Sequence, residues 1–390
     1  MKNVFLLFTF LFSVSSYSQA NVSYALVDAK ITAIPAIFTN STEAIAKYIN
    51  SNFKTENDKI RGVFYWTASN ISYDIENMFA VNTTETPQDR IAKTLKTKKG
   101  ICSDYATIFS EIANLVGIKS IVVEGYTKQD GKVATMAHAW CASKIDNKWY
   151  LFDPTWGSGY VNDNKYTRKI NTIYFKVAPL KMINSHMPFD YLWQFIDYPI
   201  TNQEFIAGKA QINKAKKNFD FESGITEYEA LPKIDQFFES SQRIEKNGIK
   251  NQLIFQAYTY AKMSWNTARE NENGAKYNAI VNQYNEAINE LNDFIYYRNN
   301  KFKPNLSDEE IKLKIENPIE KLKKCQETLY KIGSMGSENA SSVSALKKSV
   351  ADALVQSETH LEFVNNYLSK NRLVRKTMFS KVSWFGIPLN

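Results

Sequence analysis

Between residues 100 and 155 the hydrophobic pattern changes from a helical period to a strand period, which limits the fold more than anything else in the chain. Gly100 breaks the backbone, and Ala106, Phe109, Ile112, Ala113 and Val116 then recur at spacings of three and four until Gly117 supplies a stop. Beyond that glycine the runs 118–127, 136–145 and 148–155 read as strands. Asp130-Gly131 is the turn signal between the first two, and Asp146-Asn147 is a two-residue hairpin loop between the second and third. An amphipathic helix feeding an antiparallel sheet places the chain in the α+β class.

The hairpin makes a testable statement about register. A two-residue loop pairs Ile145 with Lys148 and, stepping outward, Cys141 with Phe152, Trp140 with Asp153 and His138 with Thr155. His138 and Asp153 then project from one face as diagonal neighbours, about 7–8 Å apart at Cα, within reach of an imidazole and a carboxylate leaning together. Cys141 has the opposite parity and faces away. Cys102 falls at or just before the first helical turn, where free backbone N–H groups and the positive end of the dipole favour a thiolate. The same amides suit a developing oxyanion. Lys98 and Lys99 add positive potential there, or are simply a solvated pair. A thiol nucleophile (Cys102), a base (His138) and an orienting carboxylate (Asp153) make an acyl-transfer triad, with attack on an amide carbonyl and a thioester intermediate.

The motifs Gly100-Ile101-Cys102-Ser103-Asp104-Tyr105-Ala106, His138-Ala139-Trp140 and Trp149-Tyr150-Leu151-Phe152-Asp153-Pro154-Thr155-Trp156-Gly157 resemble, in order, the three blocks of the transglutaminase-like superfamily, whose core is related to papain-type cysteine peptidases. Ser185-His186-Met187-Pro188-Phe189-Asp190, Trp193-Gln194 and Glu204-Phe205 are similar to the kyphoscoliosis peptidase branch. The resemblance spans roughly residues 55–205. It implies a nucleophile helix on an antiparallel sheet and a Cys-His-Asp triad at Cys102, His138 and Asp153. Cys141 departs from that branch, which has Asn after His-Ala-Trp.

Three aromatics are candidates for substrate binding. Trp66 and Tyr73 lie on a predicted helix over 59–73 and its exit, with core packing as the competing role; Trp140 is placed to shield the imidazole or floor the cleft. Trp156 is expected to pack structurally. His186 has no acidic or cysteine neighbour at ligand spacing and reads as a structural residue of its loop. No metal or cofactor is called for, and no EF-hand loop is present.

Residues 1–18 read as a signal peptide: Lys2, an apolar run over 4–14, and Ser16-Tyr17-Ser18 before Gln19. The run is too short to cross a bilayer. The expected location is a periplasm or beyond, after cleavage near Ser18. Three cysteines form no disulfide framework. A formal charge of +8 without a basic, aromatic-interleaved stripe does not imply nucleic acid. After Phe205 helical patterns take over. Tyr277, Ile280, Tyr284, Ala287, Leu291 and Ile295 approximate a seam, Ser307 opens a capping box with Glu310, Asn317-Pro318 restarts a helix, and 333–344 is a linker.

The expected organisation is therefore a signal peptide (1–18), a transglutaminase-like catalytic domain (19–205) and an all-α domain (206–390). The last is either a docking module for a protein partner or a packed bundle. Two functions compete. One is an exported cysteine protease or amidase acting on peptides or proteins, cell-envelope ones among them, with cross-linking less favoured. The other is a non-catalytic peptide-binding module or scaffold that keeps the fold.

Overall fold

The structure is a computed structural model that describes residues 18–79, 85–336 and 339–379, with two short strands at 383–384 and 387–388. The expected signal peptide falls on residues outside this set, apart from Ser18, which begins the first helix. The described part divides by contact into two compact units, with the division between Lys262 and Met263.

The first unit opens with helices α1 (Ser18–Thr32), α2 (Thr42–Asn52) and α3 (Glu56–Asn70). Ser41 and Thr55 cap α2 and α3 by accepting backbone N–H bonds from Ala44 and Asp58. After α3 comes β1 (Ser72–Tyr73), and after α4 (Pro87–Thr97) comes β2 (Lys99–Gly100); β1 and β2 pair in parallel, Tyr73 opposite Gly100. Helix α5 (Cys102–Leu115) follows directly, with Cys102 as its first residue. Tyr105, Ala106, Phe109, Ile112 and Ala113 are buried on its inner face among Ile45, Phe64 and Trp66, as their spacing requires.

Three strands and a late edge strand make the main sheet: β3 (Ser120–Gln129), β4 (Lys132–Ile145), β5 (Lys148–Phe152) and β8 (His186–Pro188), in the antiparallel order β5-β4-β3-β8. Both predicted hairpin turns are present. Asp130, Gly131, Asp146 and Asn147 all have positive φ, the geometry that twists a two-residue loop in the sense of its strands. The predicted β4–β5 register holds from Ile145↔Lys148 to Cys141↔Phe152. It stops there. The expected pairs Trp140–Asp153 and His138–Thr155 do not form, because Pro154 has no N–H for a ladder and the chain turns into α6 (Pro154–Ser158). Asp153 is the N-cap of α6, and its own N–H bonds Tyr174 O at 3.0 Å. A hairpin, β6 (Gly159–Asn162) with β7 (Lys165–Arg168), and the short helix α7 (Pro179–Met182) lie between α6 and β8.

Beyond β8, α8 (Asn202–Ile206), α9 (Phe221–Ala230) and α10 (Lys233–Lys246) remain with the first unit. Ile225 is buried with Trp140 and Trp149, and Ile244 and Ile254 with Tyr126 and Phe205. Arg243 clamps Asp190 through two bonds of 2.8 Å. The expected boundary after Phe205 thus differs from the observed division. These helices carry apolar faces that the sheet covers, and helical periodicity does not say which neighbour does the covering.

The second unit is helical. It takes the C-terminal part of α11 (Gln252–Asn299), with α12 (Asp308–Lys331) and α13 (Ala340–Leu368). Ile280, Ala287 and Leu291 of the expected seam are buried in its core with Leu322, Cys325 and Val350. Ser307 and Glu310 form the predicted capping box. Asn317-Pro318 does not restart a helix: α12 runs through Pro318, which is buried. Proline removes one ladder donor there, and the packed apolar face holds the helix on both sides.

Candidate active site

Cys102 is the first residue of α5 and is half-buried. Two features fix that helix start. The Asp104 carboxylate accepts the Ile101 N–H at 2.8 Å and is held by Arg90, which also bonds Ser103 Oγ at 2.6 Å. Gly100 allows the close approach, since a Cβ there would lie 2.8 Å from Asp104 Cβ. The amides of Cys102 and Ser103, at the start of α5, have no intrahelical acceptor.

His138, on β4, extends its Nε2 to Asp153 Oδ2 at 2.8 Å. The side chain of Asp153 is fully buried and has all its acceptor capacity in use. Oδ1 accepts the Thr155 and Trp156 N–H groups at 2.9 and 3.0 Å, and Oδ2 faces two imidazoles. The second is His186, whose Nε2 lies 3.1 Å from the same oxygen. His186 Nδ1 meets Ser185 Oγ at 2.8 Å.

The charges follow from this arrangement. Burial alone would drive Asp153 up, but His138 and His186 overcome it, and its carboxyl is held well below the usual range. Burial likewise pushes His138 down. The Asp153 charge and hydrogen bond, with a smaller contribution from Cys102, win and raise it. For His186 burial prevails with help from the His138 charge, against Asp153, and its pKa is lowered. A neutral His186 then donates from Nε2 to Asp153 and accepts the Ser185 hydroxyl at Nδ1. His138, with Nε2 committed to Asp153, keeps Nδ1 for another partner.

His138, Asp153 and His186 are also the one group among the described residues with ligand atoms close enough to hold a metal, all within 4.8 Å. Both Nε2 atoms sit at hydrogen-bond distance from one carboxylate oxygen, so the donor set is matched internally. A cation shared by all three would have to displace those protons.

The structure brings His138 and Asp153 together; Cys102, at the start of α5, is not among the residues that line the cleft beside His138. Tyr73 is pushed up to about 12, by burial first and then by the charges of Cys102 and Asp153. Tyr73, His138, Trp156, Tyr160, Tyr166 and Tyr174 line a cleft of about 810 Å³. Trp66 is elsewhere, fully buried in the core with Lys98 Nζ 5.1 Å from its ring centre. Trp140 is fully buried behind the imidazoles, 6.1 Å from His138 and 5.1 Å from His186 between ring centres. Gly125 makes room for it, because a Cβ there would lie 2.6 Å from the Trp140 ring and 2.1 Å from Met187 O. Cys141 is buried on the opposite face, its thiol 3.2 Å from Ala106 O, and burial raises its pKa.

Sequence reasoning missed two residues. Trp156, expected to pack structurally, walls the cleft 5.5 Å from His138. His186, read as a loop residue, is on the edge strand β8 opposite Thr127 of β3, 33 positions from its carboxylate partner. No local spacing connects it to Asp153.

The transglutaminase-like superfamily model matches residues 43–154, from α2 to just past Asp153. The chain is 30% identical to the mouse kyphoscoliosis peptidase over 156 residues, 38% of this chain and 23% of the peptidase. It is also 30% identical to the human one over 159 residues, 39% and 24% of the two chains. It therefore spans about a quarter of the length of these relatives. The crystal structure of a TGase is 18% identical, covering 59% of this chain and 52% of that one, at a TM-score of 0.26, too low to bear on the argument. Residues 43–154, which hold the helix-on-sheet core and the His138–Asp153 pair, are thus the part of this chain that matches the transglutaminase-like superfamily.

Proposed function

We propose that the protein is an exported cysteine-dependent hydrolase or acyltransferase acting on amide bonds of peptides or proteins, with Cys102 as nucleophile, His138 as base and Asp153 as the carboxylate that orients it. The observation that carries this reading is the 2.8 Å bond from His138 Nε2 to a buried, fully hydrogen-bonded carboxylate, which commits Nε2 and leaves Nδ1 to serve as the base. The Cys102 proton passes to His138, and the thiolate attacks the amide carbonyl carbon. The tetrahedral oxyanion is held by amides at the start of α5. His138 returns the proton to the leaving nitrogen, the C–N bond breaks, and a thioester remains on Cys102. Water, deprotonated by His138, releases the acid and restores the thiol. Hydrolysis is favoured over cross-linking because no feature of the cleft, among the described residues, marks a second site for a lysine substrate. Export rests on the apolar run over 4–14, and no helix of the described residues is long and apolar enough to cross a membrane.

A peptide-binding module without turnover is the second reading. It is favoured by the lack, among the described residues, of a hydrogen bond of ordinary geometry joining Cys102 Sγ to His138. Iodoacetamide separates the two. An enzyme shows rapid alkylation of Cys102 near pH 6 that His138→Ala abolishes; equal, slow alkylation of both proteins identifies the binding module.

A further inference from the structure

A second cavity lies wholly within the helical unit, and its charge is one-sided. It encloses about 800 Å³ between the loop after α11 and the segment following α13. Lys301, Lys303, Lys370, Arg372 and Lys376 stand around it, and none has an ion-pair partner among the described residues. Most lysines among the described residues likewise have no ion-pair partner; what sets these cations apart is that they gather around one cavity. The one acidic residue lining the cavity is Asp308. It is consumed by Arg375 through bonds of 2.6 and 2.7 Å, while Arg375 is itself pinned to the carbonyls of Lys370 and Leu368. That pair is structural and neutral. The floor is aromatic: Phe302 lies 4.7 Å from Tyr367 and 5.5 Å from Phe379, centre to centre.

Five uncompensated cations over an aromatic floor repel one another, and an anion entering the cavity relieves that repulsion. The volume suits a small molecule. Lysines supply point charges and Arg372 a planar fork, a combination that matches phosphate oxygens. We infer that this cavity binds a phosphate-bearing small molecule with an apolar or ring portion, at a site separate from the cleft beside His138 and independent of what that cleft does. The phosphate can be carried by a soluble phosphoester or by a phospholipid headgroup.

The test uses the full chain. Inorganic tripolyphosphate is titrated by calorimetry at 50 and 200 mM NaCl against the wild type, Arg372→Ala/Lys376→Ala and a control, Lys47→Ala/Lys54→Ala. Circular dichroism melts establish that all three are folded. Expected are saturable binding that weakens with salt, a dissociation constant raised about tenfold or more in the Arg372/Lys376 variant, and no change in the control. A second arm is flotation with phosphatidylcholine vesicles containing phosphatidylglycerol. Co-flotation lost in the same variant assigns the phosphate to a lipid; tripolyphosphate binding without co-flotation assigns it to a soluble ligand. No saturable binding at 50 mM NaCl, or equal affinity in the wild type and the Arg372/Lys376 variant, overturns the inference.

Discussion

Replacing Asp153 by asparagine is nearly isosteric, yet the surroundings dictate how the amide must sit. Oδ1 accepts two backbone N–H groups, so only an oxygen can occupy that side. The amide NH₂ is therefore turned toward the two imidazoles that Oδ2 now serves at 2.8 and 3.1 Å. His186 can adapt by moving its proton to Nδ1 and donating to Ser185 Oγ. His138 can adapt only by making Nε2 an acceptor, which puts its proton on Nδ1, the nitrogen left for Cys102. The base is then occupied before the reaction starts, and no carboxylate stabilises an imidazolium. Breaking a buried charge pair costs about 3–5 kcal/mol, and each 1.36 kcal/mol is a factor of ten, so turnover should fall about 10²–10⁴-fold. A substrate-free assay reads the same event. An ordinary thiol is only about 0.3% ionised at pH 6, so alkylation of Cys102 by iodoacetamide at that pH should fall about 100-fold in Asp153→Asn. ¹⁵N shifts of His138 should report the proton on Nδ1. Alkylation within about threefold of wild type in a folded variant would refute the reasoning.

Other expectations follow from the same geometry. Asp153 is held below its unfolded value of about 3.9, so its contribution to stability is present above that pH and lost as pH falls through the folded value. His138 is raised above about 6.5, so its contribution is complete below that pH and lost as pH rises through the folded value. Thermal melts should therefore show a plateau between about pH 4 and 6.5 with a decline on either side, both flattened in Asp153→Asn. His186→Ala removes a donor from a buried carboxylate and should cost about 1–3 kcal/mol in denaturant unfolding. Gly100→Ala forces a Cβ to within 2.8 Å of Asp104 Cβ and should cost about 1–3 kcal/mol while slowing Cys102 alkylation, because the helix start must shift. Cys141→Ala should leave that alkylation rate unchanged, since its thiol lies on the other face of β4.

What could be read in advance follows the range of the interactions. Asp146-Asn147 allows one tight turn, and that turn sets the register from Ile145 to Cys141 without reference to anything distant. Parity then carried Cys141 to the core and His138 and Asp153 to a common face, although Pro154 ended the ladder sooner than alternation alone suggested. Gly100 and the stripe from Ala106 to Val116 located the start of α5 by the same local logic. His186 was not legible. It reaches Asp153 because β8 joins the sheet beside β3 rather than β5, and edge-strand order is decided by packing across the whole sheet. Tyr73 was placed at a helix exit, whereas it forms a two-residue parallel pairing with β2 that sets it in the cleft. Trp66 on α3 had the apolar character of a binding residue and of a core residue alike; burial distinguishes them. The boundary after Phe205 followed a change of periodicity, but α9 and α10 complete the core of the sheet unit.

The central claim is that Cys102 forms a covalent acyl intermediate. Protein incubated with an envelope extract, quenched in acid and digested, can be searched by mass spectrometry for thioester-linked mass on the peptide bearing Cys102, with Cys102→Ala and His138→Ala in parallel. The account predicts an adduct on Cys102 that hydroxylamine removes and that both variants lack. A catalogue of acyl donors and conditions that yields no Cys102-dependent adduct or cleavage, from protein whose Cys102 is alkylated no faster than an ordinary thiol, would contradict it.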